Sequence, residues 1–152
     1  MLIVAIIPCF KSPSQAPLIA AECLKFVDKV ICVDDSCPLN TGKEIERNLK
    51  NDDLFLIRHS KNMGVGGAMK TGINFALKMN ADIIVKIDSD GQMSPSLIPS
   101  LIEPLKNGKA NFTKGNRFRD PEIIRKMPFV RLIGNLILSF LTKLSTGYWE
   151  LF

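Results

Sequence analysis

Asp88, Asp90 and Gln92 stand at two-residue intervals in IIVKIDSDGQMSP, residues 83–95, directly after an apolar run. Alternate side chains of an extended segment share one side. The three oxygen-bearing groups are therefore expected to converge, provided the strand geometry continues into the loop. Hard divalent cations such as Mg²⁺ or Mn²⁺ take one or two carboxylates, keep some water, and complete their shell with phosphates. A cation held there would bridge a diphosphate and neutralise charge building on a leaving group. The competing reading is a plain turn, with Asp and Gly making the bend and Ser89 or Asp90 capping a neighbour.

A second candidate, GVGGAMKT at residues 64–71, nearly matches a phosphate-binding loop. Met69 occupies the place of the glycine before Lys70, where a side chain would crowd the backbone cradle. The same residue breaks the dinucleotide spacing G-x-G-x-x-G. A nucleotide-triphosphatase reading is set aside on those grounds. Gly64, Gly66 and Gly67 serve either a tight turn with close helix packing or close approach to a ligand, since permissive backbone suits both.

Positioning these loops falls to an alternation of strands and helices. Continuous, β-branched runs predict strands at 2–7, 29–34, 54–59 and 82–87, with a weaker one at 110–115. Between them, residues 16–27 place Leu18, Ala21, Leu24 and Val27 on one helical stripe. Thr41 and Glu44 make a capping-box pattern at the next helix. Apolar residues repeat at helical spacing from Gly66 to Asn80, and Ser94-Pro95 opens a further helix. The order predicts a Rossmann-like α/β fold, a mostly parallel sheet with helices on both faces. Ligands of such sheets bind beyond the carboxyl ends of the strands, which selects the loops 8–12, 34–38, 59–67 and 88–94.

The chain has 152 residues, 46% hydrophobic and 23% charged, as an ordinary globular domain does. A net charge of +5 favours phosphate-bearing or membrane-surface partners, but is equally common in proteins that touch neither. No nucleic-acid partner is expected. Cys9, Cys23, Cys32 and Cys37 show no metal-type spacing; free thiols in apolar runs behave as small hydrophobes, and a reducing cytoplasm suits them. The N-terminal stretch lacks a signal-peptide pattern, and no apolar run reaches the ~20 residues a spanning helix needs. Residues 132–145 form either a core helix or an interfacial one. His59, one histidine without an evident partner, is read as a loop residue.

Several loops together resemble one family. IIPCF at the first strand end, VDD at 33–35, NMGVGGAMKTGINFA at 62–76, DSDGQMSP at 88–95 and KGNRF at 114–118 are similar to the inverting nucleotide-sugar glycosyltransferases of GT-A fold. The polyprenyl-phosphate mannosyltransferase branch is nearest. The resemblance implies that Pro8, Cys9 and Gly64 line the donor pocket, with Asp34 or Asp35 on the base or ribose. It implies that Asp88 and Ser89 face the nucleotide sugar, that Asp88 and Asp90 are catalytic, and that Asp90 and Gln92, with Asp88, hold Mg²⁺ or Mn²⁺. Arg117 would approach a donor or acceptor phosphate, for which its bidentate fork is suited. Arg131 is a second such cation or a solvated surface residue.

The implied partners are a GDP- or UDP-linked sugar and a lipid-phosphate or glycan acceptor, at the cytoplasmic face of a membrane by peripheral association. Lys11-Ser12 and SCPLN after VDD depart from the family's usual residues and leave the donor base open. One domain over 1–152 is expected, with 1–118 as the donor and metal half and 119–152 as the start of an incomplete acceptor region. The stop at GYWELF suggests a fragment, with apolar residues around Trp149 and Phe152 lacking partners. Rival readings are a transferase of surface polysaccharide or O-antigen, a nucleotide-sugar-binding module without turnover, and a sugar-phosphate nucleotidyltransferase. The last would want a glycine-rich basic loop after the first strand, which PCFKSPSQ lacks.

Overall fold

A computed structural model of the protein describes residues 1–115 and 129–147. The chain divides into two compact units, residues 1–113 and 114–152.

The first unit is a four-stranded sheet in the order β3-β2-β1-β4. Its strands are β1 (Ile3–Cys9), β2 (Lys29–Asp34), β3 (Leu54–Arg58) and β4 (Ile83–Lys86). All three pairings are parallel, with Ile6 of β1 set between Ile31 of β2 and Lys86 of β4. The helices are α1 (Gln15–Cys23), α2 (Thr41–Asn48), α3 (Gly64–Lys78) and α4 (Ile98–Lys106), the last preceded by a 3₁₀ turn at Pro95–Leu97. The α/β class expected from the sequence is what forms. The weak fifth strand at 110–115 does not: no strand is found there, Phe112 is exposed, and the Thr113 hydroxyl donates to the Leu101 carbonyl. ANFTKG is the one segment of the five without a continuous apolar run.

The central strands are apolar on both sides because both faces are covered. Ala5, Ile7, Cys9, Val30 and Cys32 pack with Ala16, Ile19, Ala20 and Cys23 of α1, Ile45 of α2, and Ile98 and Ile102 of α4. On the other face Val4, Ile6, Ile31 and Val33 meet Ala68 and Ala76 of α3. Burying each aliphatic side chain contributes about 1.5–3 kcal/mol. Burial also raises the thiol pKa of Cys23, helped by the charge of Glu22, to about 12. This keeps it a neutral core group. All four cysteines are free.

Two local expectations are corrected. Within α1 the buried residues are Ala16, Pro17, Ile19, Ala20 and Cys23, while Leu18 is 71% exposed; of the expected stripe, Leu24 and Val27 do pack on the core, and small residues face the sheet because the helix lies close upon it. The capping box at Thr41–Glu44 does not form, and no side chain of α2 caps its first turn. Asn40 takes a left-handed conformation, and the Asp34 carboxylate instead accepts from the Cys37 and Gly42 amides at 2.9 and 3.1 Å. Thr41 is buried and accepts from the Ser12 amide.

In the second unit, helix α5 (Phe129–Thr146) is amphipathic, with Ile133, Ile137, Phe140, Leu141 and Leu144 exposed. Among the described residues no helix is long and apolar enough to cross a membrane. Trp149 and Phe152 lie outside the described residues.

A Cβ at Gly72 would stand 2.5 Å from Cγ2 of the fully buried Ile6. Gly72→Ala gains helix propensity of about 1 kcal/mol, but overpacking a dense core costs ~1–3 kcal/mol. The expected outcome is a lowered urea midpoint with an unchanged slope. A midpoint equal to the parent's would show that Ile6 yields.

Candidate functional site

The chain turns back on itself at β1. Successive crossovers build outward through β2 to β3 with α1 and α2 on one face; α3 then returns along the other face to place β4 on the opposite side of β1. The carboxyl ends of β1 and β4 therefore flank the switch point at which open α/β sheets form their crevice. A cleft of about 410 Å³ opens there. Pro8, Cys9 and Phe10 line it from the end of β1, Asp35 from the end of β2, and Asn62, Gly64 and Val65 from the turn into α3. Asp88, Ser89 and Asp90 line it from beyond β4. A larger groove of about 580 Å³ runs between α1 and α2, lined by Leu18, Leu39 and Glu44 among others, and contains none of these acidic residues.

Past β4 the burial alternates: Ile83, Val85, Ile87 and Ser89 are buried while Lys86, Asp88 and Asp90 are not. Asp88 and Asp90 thus share a side, as their spacing requires. Ser89 points the other way, and its Oγ accepts from the Ser12 hydroxyl at 2.7 Å, tying this loop to the one after β1. The Asp88 carboxylate pairs with Lys86 Nζ at 2.7 Å. Gly91, at φ 78°, then bends the chain in a conformation that suits glycine. The Gln92 amide turns back to donate to Asp90 Oδ1 at 3.0 Å, and Gln92 is exposed and does not line the cleft. Two of the three oxygen-bearing residues line the cleft; the turn carries the third past it. Among the described residues no group of three or more His, Cys, Asp or Glu is arranged around a common point.

Asp34 and Asp35 leave β2 in opposite directions. Asp34 spends one oxygen on the Cys37 amide in the turn before α2 and the other on the Gly42 amide in its first turn, and is not a cleft residue. Asp35 reaches the cleft, and its Oδ1 accepts from the Met63 amide at 2.8 Å and pairs with His59 Nδ1 at 2.7 Å. Burial pushes the Asp35 carboxyl up, but the Met63 amide, His59 and the Gly64 amide outweigh it and hold the pKa below the usual 3.8. His59 is nearly buried, and its Nε2 meets Thr71 Oγ1 of α3 at 2.9 Å. Phe10, Asn62 and Val65 line the cleft within loops that the sheet rule selects, though none was named as a site residue, and His59, read as a loop residue, stands behind Asp35. Only the apolar strand before His59, which forces the next side chain inward or outward, hinted at it.

The glycines of 64–67 divide by role. Gly64 has φ 75°, its amide is held by Asn62 Oδ1, and it borders the cleft. A Cβ at Gly67 would press on Met63 Cβ at 2.5 Å. Turn and cleft wall are both served. Arg117 lies outside the described residues; Arg131 lies on α5.

The sequence profile of Glycosyl transferase family 2 matches residues 4–151. The chain belongs to that family. It is 36% identical over 135 residues to the UDP-N-acetylglucosamine--dolichyl-phosphate N-acetylglucosaminyltransferase of Methanococcus voltae, covering 80% of this chain and 54% of that protein. It is 28% identical over 120 residues to the undecaprenyl-phosphate mannosyltransferase of Micrococcus luteus, covering 77% and 49%. The chain spans about half the length of these relatives. Among solved structures, TarS residues 1–349 from S. aureus superposes with a TM-score of 0.51 at 17% identity, over 70% of this chain and 33% of that one. That likeness shows the GT-A fold.

A carboxyl whose folded pKa is depressed stabilises the fold fully above its unfolded value, and the contribution disappears as the pH falls through the folded one. Asp35→Asn should therefore cost about 1.5–3 kcal/mol near neutrality, the range for hydrogen bonds to a charged group. The gap between variant and parent should close as the pH drops below 3.8. Urea titrations at stepped pH check this; a gap that stays constant into acid would refute it.

Proposed function

We propose that this chain is the donor-binding part of a nucleotide-sugar-dependent glycosyltransferase that passes its sugar, with inversion, to a polyprenyl phosphate. The observation carrying this reading is that Asp88 and Asp90 open onto the same switch-point cleft as Pro8, Cys9, Asp35 and Gly64. The nucleoside would lie against Pro8, Cys9 and Asp35, because Asp34 is committed to α2. The diphosphate would extend toward β4. Relatives that carry undecaprenyl- or dolichyl-phosphate in their names support the acceptor class. A GDP- or UDP-linked donor fits equally.

Two carboxylates open to a cleft suit Mg²⁺ or Mn²⁺, which need few protein ligands when phosphates complete the shell. Asp88 and Asp90 would hold the ion, with Gln92 reaching it only if the 91–92 turn rearranges. When bound, it would supply charge neutralisation at the leaving diphosphate. The chain's own residues position the reactants. Ser89, locked to Ser12, fixes the acidic loop, and Gly64 lets backbone approach the donor. In the displacement, the bond from the anomeric carbon to the diphosphate oxygen breaks while the acceptor oxygen bonds from the opposite face. A phosphate acceptor is already an anion, so no general base is required. Arg117 would meet one of the phosphates. We take residues 1–118 as the donor half and 119–152 as the beginning of the acceptor region.

We place peripheral membrane association at the cytoplasmic face, and what supports association itself is α5. Its apolar residues 133, 137, 140, 141 and 144 form one exposed stripe with Leu138 exposed beside it, and residues 114–147, of which the helix itself holds Arg131 and Lys143, carry seven basic side chains against two acidic ones. Such a helix suits an anionic interface.

Two measurements test the reading. Calorimetry with GDP and UDP should show binding that strengthens with Mn²⁺; Asp88→Asn and Asp90→Asn should each abolish the Mn²⁺-dependent part, a loss of about tenfold or more. Absence of binding to either nucleotide would end the proposal. Flotation with anionic vesicles should recover the parent chain and lose Ile137→Glu/Leu141→Glu; equal recovery would remove α5 from the membrane role.

A further inference from the structure

The structure assigns His59 a positioning role in the cleft: its Nδ1–H holds the Asp35 carboxylate in place for the donor, while its Nε2 is moored to Thr71 of α3. This rests on the nucleotide reading above. His59 itself does not line the cleft, so whatever it does for a ligand it does through Asp35.

An ionised carboxylate accepts and never donates, so the proton must sit on Nδ1. A neutral ring then presents Nε2 as an acceptor, and the Thr71 hydroxyl donates to it. The ring is thereby fixed at both ends, and its backbone amide is also held, donating to the Asp34 carbonyl at 2.9 Å. On the far side, the same Asp35 oxygen receives the Met63 amide. Asp35, His59 and Thr71 form one line of hydrogen bonds from the cleft wall to the second turn of α3. The turn at 62–65, which supplies Asn62, Gly64 and Val65 to the cleft, hangs from its near end. Without the Nδ1 donor, only the backbone amides of Met63 and Gly64, on the turn itself, are left to hold the carboxylate. The carboxylate can then rotate, and the turn loosens with it.

Two substitutions separate the ring's nitrogens. The amide of His59→Asn places an N–H donor near the position of Nδ1 and abandons Thr71; that of His59→Gln reaches toward Thr71 and abandons Asp35. With the full 152-residue chain, affinity for GDP and UDP is measured by calorimetry, and amide exchange at Met63 and Gly64 is followed by NMR without ligand. His59→Gln should weaken nucleotide binding about tenfold, as expected for one hydrogen bond to a charged group, and speed exchange at Met63. His59→Asn should restore most of both losses.

Equal effects of the two variants, or none from either, would overturn the assignment. If the parent binds neither nucleotide, the functional reading fails, and Met63 exchange alone decides: faster in His59→Gln than in His59→Asn upholds the positioning role, and equal rates reject it. Should His59→Gln not fold, Thr71→Val, which frees the ring to tilt from Asp35, should shift both readouts in the same direction and by less. No shift would overturn the role.

Discussion

A carboxylate below the surface must find donors, because an unpaired buried charge costs several kcal/mol. β2 ends in two of them, Asp34 and Asp35, both nearly buried. Consecutive strand residues point to opposite faces. Asp34 therefore meets the head of α2 on one side of the sheet, and Asp35 meets the turn into α3 on the other. One dipeptide sets the entry of a helix on each face. The cleft is built around it, since Asp35 supplies a wall and the turn it holds supplies another.

The sheet was legible because its strands are covered on both faces and so read as unbroken apolar runs. Asp88 and Asp90 were legible as a pair because two-residue spacing survives the end of β4. Contacts that depend on residues far apart were not. The cap of α2 comes from Asp34, eight positions before Gly42, whereas a capping box looks for its partner three away. His59 finds Asp35 across 24 residues and Thr71 across 12, so the sequence shows one histidine and no companion. Leu18 misled by size: a helix lying close to a sheet turns its alanines inward and leaves a leucine out. Gln92 followed the right period but fell beyond Gly91, where the backbone leaves the extended region.

The family assignment and the geometry meet at the switch point. The profile runs through residues 4–151, and its likeness to TarS is one of backbone arrangement at low identity. What distinguishes this chain lies in the side chains around a shared framework. Phe10 borders the cleft, and the neighbouring Lys11 holds its ammonium 5.3 Å from that ring's centre. Function is argued from such groups, since a fold of this kind hosts many chemistries.

The ion pair between Lys86 and Asp88 gives the acidic pair an internal counter-ion. Under the proposed metal role, a cation reaching Asp88 would meet a carboxylate already paired with a part-exposed ammonium, so its capture would exchange one cation for another and gain less than a bare carboxylate would give. The displaced ammonium then needs an anion of its own. A ligand bringing phosphates would supply one, and the proposed metal and anionic ligand would then be mutually reinforcing guests rather than independent ones.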